Sequence, residues 1–313
     1  MKQLKKILFN LVLVIGIFSC KAPKNTSLGQ NESLGVDQVK SLQIRGEEFH
    51  YIENGKGAPL IFIHGTTGDY RAWISHMETY SNDYHVIAYS RRYAFPNKQV
   101  FDKSLDYSVR IHADDLFSLI TKLNLKKVNI VAHSYGASTA LLMAMEHPEI
   151  VNSMVLGEPP LISLAQNTAK GREGYADLLD NHLRPAKNEF EAGNNEAALE
   201  HFIQWILGDD FQMSQVPQED KQGGLDNLPE LWGMAMNEVL TPTLDEVAIK
   251  TLEVPVLLLV GDISPVLLIE GTNELHRLLP NSEIVRFENM NHGLFFEQPE
   301  AVDKTVMDFL NRN

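Results

Sequence analysis

The chain has 313 residues, 44% hydrophobic and 22% charged, with 20 Gly and 14 Pro, which excludes collagen-like, low-complexity and wholly disordered classes. Lys+Arg 27 against Asp+Glu 41 gives a net charge of −14, so the chain has no overall electrostatic footprint for nucleic acid. One cysteine rules out an intrachain disulfide and a cysteine-based zinc site.

The first 19 residues read as a signal peptide. Lys2, Lys5 and Lys6 form a positive start, and Ile7 to Phe18 form an apolar run too short to span a bilayer comfortably as a helix. The sole cysteine, Cys20, closes that run after Ile17-Phe18-Ser19, a sequence that resembles the lipobox of bacterial lipoproteins. The resemblance implies cleavage before Cys20 and lipidation of its thiol. It also implies anchoring to the outer membrane facing the periplasm, since Ala22 rather than Asp stands second after Cys20. Residues 20–38 then form a polar tether without hydrophobic period.

From residue 39 onward, short apolar runs alternate with amphipathic stretches. Strands are expected at Val39–Ile44, Phe49–Glu53, Leu60–Ile63, His85–Tyr89, Val128–Ala132, Ser153–Leu156, Val254–Val260 and Glu283–Phe287. Asn54-Gly55 suits a tight turn between the second and third. Helices are expected near Tyr70–Ser81, Ser108–Leu123, Ala137–Glu146, Val266–Leu279 and Pro299–Leu310, with Asp69 capping the first and Pro299 opening the last. Continuous apolar runs such as IFI and VPVLLLV are what strands covered on both faces require, and the alternation implies a mostly parallel α/β sheet. It breaks between about 161 and 252, where AALEHFIQWIL has helical period; that stretch reads as a helical cap inserted in a domain spanning 39–313. Its aromatic residues Phe190, Phe202, Trp205 and Trp232 read as helix core.

The chemistry concentrates in VNIVAHSYGASTALLMA. A strand ends near Ala132, Ser134 follows, and a helix begins almost at once. This is the pattern of a nucleophile elbow, a strained turn that holds a serine hydroxyl clear of the backbone and needs small neighbours. Gly136 supplies one, and Ala132 replaces the first glycine of G-x-S-x-G.

Upstream, LIFIHGTTGDYRAW places His64-Gly65-Thr66 at the end of the third strand. Here the sequence resembles the α/β-hydrolase superfamily, from about Gln43 to Asn311. The resemblance implies an eight-stranded, mostly parallel sheet and a serine hydrolase acting on a small carboxylic ester or related acyl compound. It assigns the nucleophile to Ser134, the oxyanion-hole amides to Thr66 and Tyr135, and the base to His292 in MNHGLFF. His64 supports the turn. The usual acid position, Gly-x-x-Asp after the penultimate strand, holds Ser264, because Gly261 is followed by Asp262 and Ile263. A second location used in part of the superfamily gives Glu158 in MVLGEPP, which we take as the acid, with Asp262 as runner-up.

A C–C bond hydrolase or a haloperoxidase-like enzyme uses the same constellation, and the displaced acid leaves open a binding protein that kept the pocket. Ser134 in place of Asp argues against haloalkane dehalogenases and most epoxide hydrolases. Arg91 and Arg92 could meet a substrate carboxylate or form structural ion pairs. The histidines show no metal-ligand spacing, and Gly55-Lys56-Gly57 is a turn rather than a phosphate loop, so no metal or cofactor is expected. The expected partners are a small-molecule substrate and, through the lipid anchor alone, a membrane.

Overall fold

The computed structural model describes residues 39–97, 101–237 and 241–313, so the signal peptide, Cys20 and the tether lie outside the described residues. Eight strands form one sheet: β1 Lys40–Ile44, β2 Glu47–Asn54, β3 Ala58–Ile63, β4 Tyr84–Tyr89, β5 Val128–His133, β6 Val151–Gly157, β7 Val256–Gly261 and β8 Ser282–Phe287. Their order is β1-β2-β4-β3-β5-β6-β7-β8. β2 runs antiparallel to both β1 and β4, and every other pairing is parallel.

All six residues of β7 are buried, which explains its unbroken apolar sequence, and all six of β5 are buried too, the polar Asn129 and His133 included. The Asn54-Gly55 turn is present, with Asn54 Oδ1 accepting from the Gly55 amide at 2.7 Å. It is not a hairpin: β4 lies between β2 and β3, and the chain crosses to reach it. A local turn signal fixes where a strand stops but not which strand it pairs with.

Helices cover both faces. One layer contains α1 Ile74–Ser81, preceded by a 3₁₀ turn at Tyr70–Trp73, so the expected single helix over 70–81 is split. Asp69 caps that turn, its side chain accepting from the Arg71 amide. The opposite layer has α2 Val109–Lys122 and α3 Tyr135–Glu146, whose buried Leu116, Leu119, Ala137 and Leu141 pack with Ile61, Ile63 and Ile130 of the sheet.

Between β6 and β7 the described chain is helical: α4 Ile162–Ala165, α5 Ala169–Asp177, a π-helical turn at Leu178–Leu183, α6 Arg184–Glu191, α7 Asn195–Leu207, α8 Gln218–Asp226, α9 Leu228–Asn237 and α10 Glu246–Lys250. The chain then adds α11 Val266–Leu278, α12 Leu294–Glu297 and α13 Pro299–Leu310. On the α1 face, Trp73, Met77 and Tyr80 meet Phe295, Val302, Val306 and Phe309.

Candidate active site

The site sits at the carboxyl ends of β3, β5, β6 and β7, where a parallel sheet gathers its loops on one edge. Ser134 occupies the one-residue gap between β5 and α3, at φ 54° and ψ −124°. A non-glycine residue held there costs on the order of 1–3 kcal/mol and persists only when its surroundings fix it. They do: its amide donates to the Gly157 carbonyl at 2.7 Å, and its carbonyl accepts from the amides of Ala137 and Ser138. Gly136 is required by close approach, because a Cβ there would stand 2.4 Å from the His64 carbonyl oxygen and 2.7 Å from that of Ile63.

That contact locks the elbow to the end of β3, where Gly65 and Thr66 follow. A Cβ at Gly65 would lie 3.0 Å from the Ser134 Cβ, which measures how closely the two loops approach. Tyr135 is the first residue of α3, at the positive end of the helix dipole. Its side chain is fully buried, with its hydroxyl donating to the Tyr107 carbonyl at 2.8 Å.

His292 follows β8 and precedes α12. Its Nδ1 lies 2.5 Å from Glu158 Oε2, and its ring lines the same cavity as Ser134. Glu158 is fully buried and also has positive φ, 46°. Its second oxygen accepts from the Gly261 amide at 2.7 Å, and its own amide donates to the Leu259 carbonyl. Both carboxylate oxygens are therefore held, one by the end of β7 and the other by the imidazole. Asp262 is exposed, and its amide donates to the Phe287 carbonyl. Ser264 is buried, and its hydroxyl has no hydrogen-bond partner among the described residues. Of the two acid candidates, the structure brings Glu158 to His292.

Two further histidines are neutral supports. His64 donates from Nδ1 to the Gly65 carbonyl and accepts the Arg91 amide at Nε2; burial, with the Arg91 charge, holds its pKa well below the usual value. His133 donates from Nε2 to the His292 carbonyl at 2.8 Å, and its ring lies 4.5 Å from that of His292. Burial pushes its pKa well down too, so it adds no charge beside His292. No local motif marks His133, whose partner is remote in the chain.

Arg91 and Arg92 both serve the fold. Arg92 makes a bidentate pair with buried Asp115 at 2.7 and 2.6 Å. Arg91, 1% exposed, donates to the carbonyls of His64 and Gly65 and pairs with Glu230 of α9. The Glu230 carboxyl is held down to about 2 despite burial, chiefly by the Arg91 charge and then by His112. This pair fastens the helical segment to the loop carrying Thr66.

The cavity over Ser134 holds about 860 Å³ of empty space, mouth included. Leu199, Phe202, Ile203 and Ile206 of α7 line it, with Phe211, Val216 and Phe296. The α7 positions follow helical spacing, so the stripe expected to be helix core is in part cavity wall.

A family model for the alpha/beta hydrolase fold matches residues 58–299, and the chain belongs to that family of enzymes. It is 25% identical over 284 residues to the non-heme chloroperoxidase CPO-A1 of Kitasatospora aureofaciens, covering 85% of this chain and 97% of that one. Among solved structures, a thermophilic esterase from Thermogutta terrifontis superposes with a TM-score of 0.68 at 20% identity, over 88% of this chain and 98% of that one. An epoxide hydrolase from Bacillus megaterium gives 0.69 at 18% identity, over 87% and 100%. At such identities these two likenesses concern the fold.

Proposed function

We propose that the protein is a serine hydrolase that cleaves a carboxylic ester through an acyl-enzyme. The observation that carries this reading is the His292 Nδ1–Glu158 Oε2 contact of 2.5 Å, beside a serine on a strained elbow in the same apolar cavity. With Nδ1 held by the carboxylate, Nε2 is the ring nitrogen left to take the Ser134 proton. Oγ then attacks the acyl carbonyl, and the amides of Thr66 and Tyr135 stabilise the oxyanion. The imidazolium returns its proton to the leaving alcohol oxygen as the C–O bond breaks. Water, deprotonated by the same imidazole, releases the acid and restores Ser134.

The buried Glu158 fixes the imidazole tautomer and stabilises the imidazolium in both steps. The lipobox-like run ending at Cys20 supports a second part of the proposal: the enzyme works at the cell envelope, tethered by a lipid on Cys20.

The test is reaction with a fluorophosphonate, followed by peptide mapping, alongside turnover of p-nitrophenyl esters of varied chain length. Labelling at Ser134, abolished in Ser134→Ala, is expected. An inert Ser134 in folded protein would contradict the reading and favour a binding protein.

A further inference from the structure

Two apolar cavities meet at Ser134, and they are unequal. The larger is the one described above. The smaller, about 340 Å³ of empty space with its mouth included, is lined by Pro160, Leu178, Leu183, Trp205 and Met234. Thr66, Ser134 and Phe202 line both. His292 lines only the larger.

Resting on the esterase reading, we infer that this enzyme selects esters of a short apolar acyl group with a long or bulky apolar alcohol. The geometry of the tetrahedral intermediate carries the assignment. Its carbon bears Ser134 Oγ, the oxyanion, the acyl chain and the alcohol oxygen. The oxyanion must face the Thr66 and Tyr135 amides. The alcohol oxygen must receive its proton from the imidazolium, so it lies on the side that His292 lines, and its substituent extends into the larger cavity. The acyl chain takes the remaining direction, into the smaller one.

Both cavities are apolar, but they limit length differently. Leu178, Leu183 and Met234 are each under 9% exposed and bound the smaller cavity with side chains packed into the helical segment. It contains no ionisable lining group, so a charged acyl group would be desolvated without a partner. In the larger cavity, the Lys221 ammonium is already paired with Glu196 at 2.9 Å, which leaves the wall to side chains such as Ile203, Phe211 and Phe296. A long alkyl chain buried there is stabilised in proportion to the apolar area it removes from water.

Octyl acetate and ethyl octanoate are isomers, so they present the same atoms with the ester reversed. Wild-type enzyme should show kcat/KM higher for octyl acetate by about tenfold or more, the scale at which apolar pockets discriminate. Leu178→Ala and Met234→Ala, each of which lengthens the smaller cavity, should narrow that ratio by raising turnover of ethyl octanoate. Equal or reversed preference in the wild type overturns the assignment, as does an unchanged ratio in both folded variants. If neither ester is turned over while fluorophosphonate labels Ser134, this inference falls and the esterase reading stands; without labelling, both fall.

Discussion

Glu158 and His292 lie 134 positions apart in the chain and meet at 2.5 Å, with the other Glu158 oxygen held by the Gly261 amide. In the proposed reaction the acid therefore comes from the end of β6, and the end of β7 supplies the Gly261 amide that orients it. Glu158→Gln should lower turnover by about 10³–10⁴, since an amide of the same shape neither fixes the tautomer nor stabilises the imidazolium. Asp262→Asn, at an exposed position, should stay near wild type. Steady-state rates on one ester, with circular dichroism to confirm folding, check both. A dead Asp262→Asn beside an active Glu158→Gln would move the acid to Asp262.

Gly136→Ala tests the lock between the elbow and β3. The added methyl would meet two backbone oxygens, those of His64 and Ile63, neither of which can rotate away. Either Ser134 or the Thr66 loop must shift, and a displacement near 1 Å costs about 10²-fold in rate. Turnover should fall on that scale while the protein stays folded, and fluorophosphonate labelling should slow with it. Wild-type rates would mean the two loops are not mutually fixed.

The parts of the fold that were legible in the sequence are those written locally. β5 and α3 could be read because an apolar run, a serine and a small residue follow one another in AHSYGAS, and β7 because VPVLLLV is buried on both faces. Strand order was not local: nothing at Asn54-Gly55 reveals that β4 inserts beside β2. Glu158 could be nominated from its place after a strand, but its contact with His292 depends on β6 lying between β5 and β7. The Arg91–Glu230 pair was illegible, because its partners are 139 positions apart and neither sits in a motif. The cavity face of α7 could not be told from core, since both require the same apolar spacing.

That pair gives a pH prediction. The folded Glu230 carboxyl, at about 2, lies below its ordinary value of 4.5. A depressed acid contributes stability that is full above about 4.5 and is lost as pH falls toward 2. Glu230→Gln leaves buried Arg91 short of its partner and should cost about 3 kcal/mol near neutral pH. Urea melts of both proteins should show that gap narrowing as pH drops from 5 to about 2.5. A gap constant across that range would mean the carboxylate charge contributes nothing.

Cys20 lies outside the described residues, and its proposed role rests on the sequence before it. Cys20→Ala should abolish incorporation of radiolabelled fatty acid and release the protein from the membrane fraction. Normal labelling and fractionation of that variant would exclude the lipid anchor.

In the proposed reaction Ser134 and His292 act as one unit on an acyl carbonyl. The measurement is kcat of Ser134→Ala, His292→Ala and the double variant on one p-nitrophenyl ester. Because removing either partner disables the other, each single variant should lose nearly all turnover, and the double should be little slower than either. Losses that multiply in the double variant, or a single variant that keeps its rate, would show that Ser134 and His292 do not act as a unit.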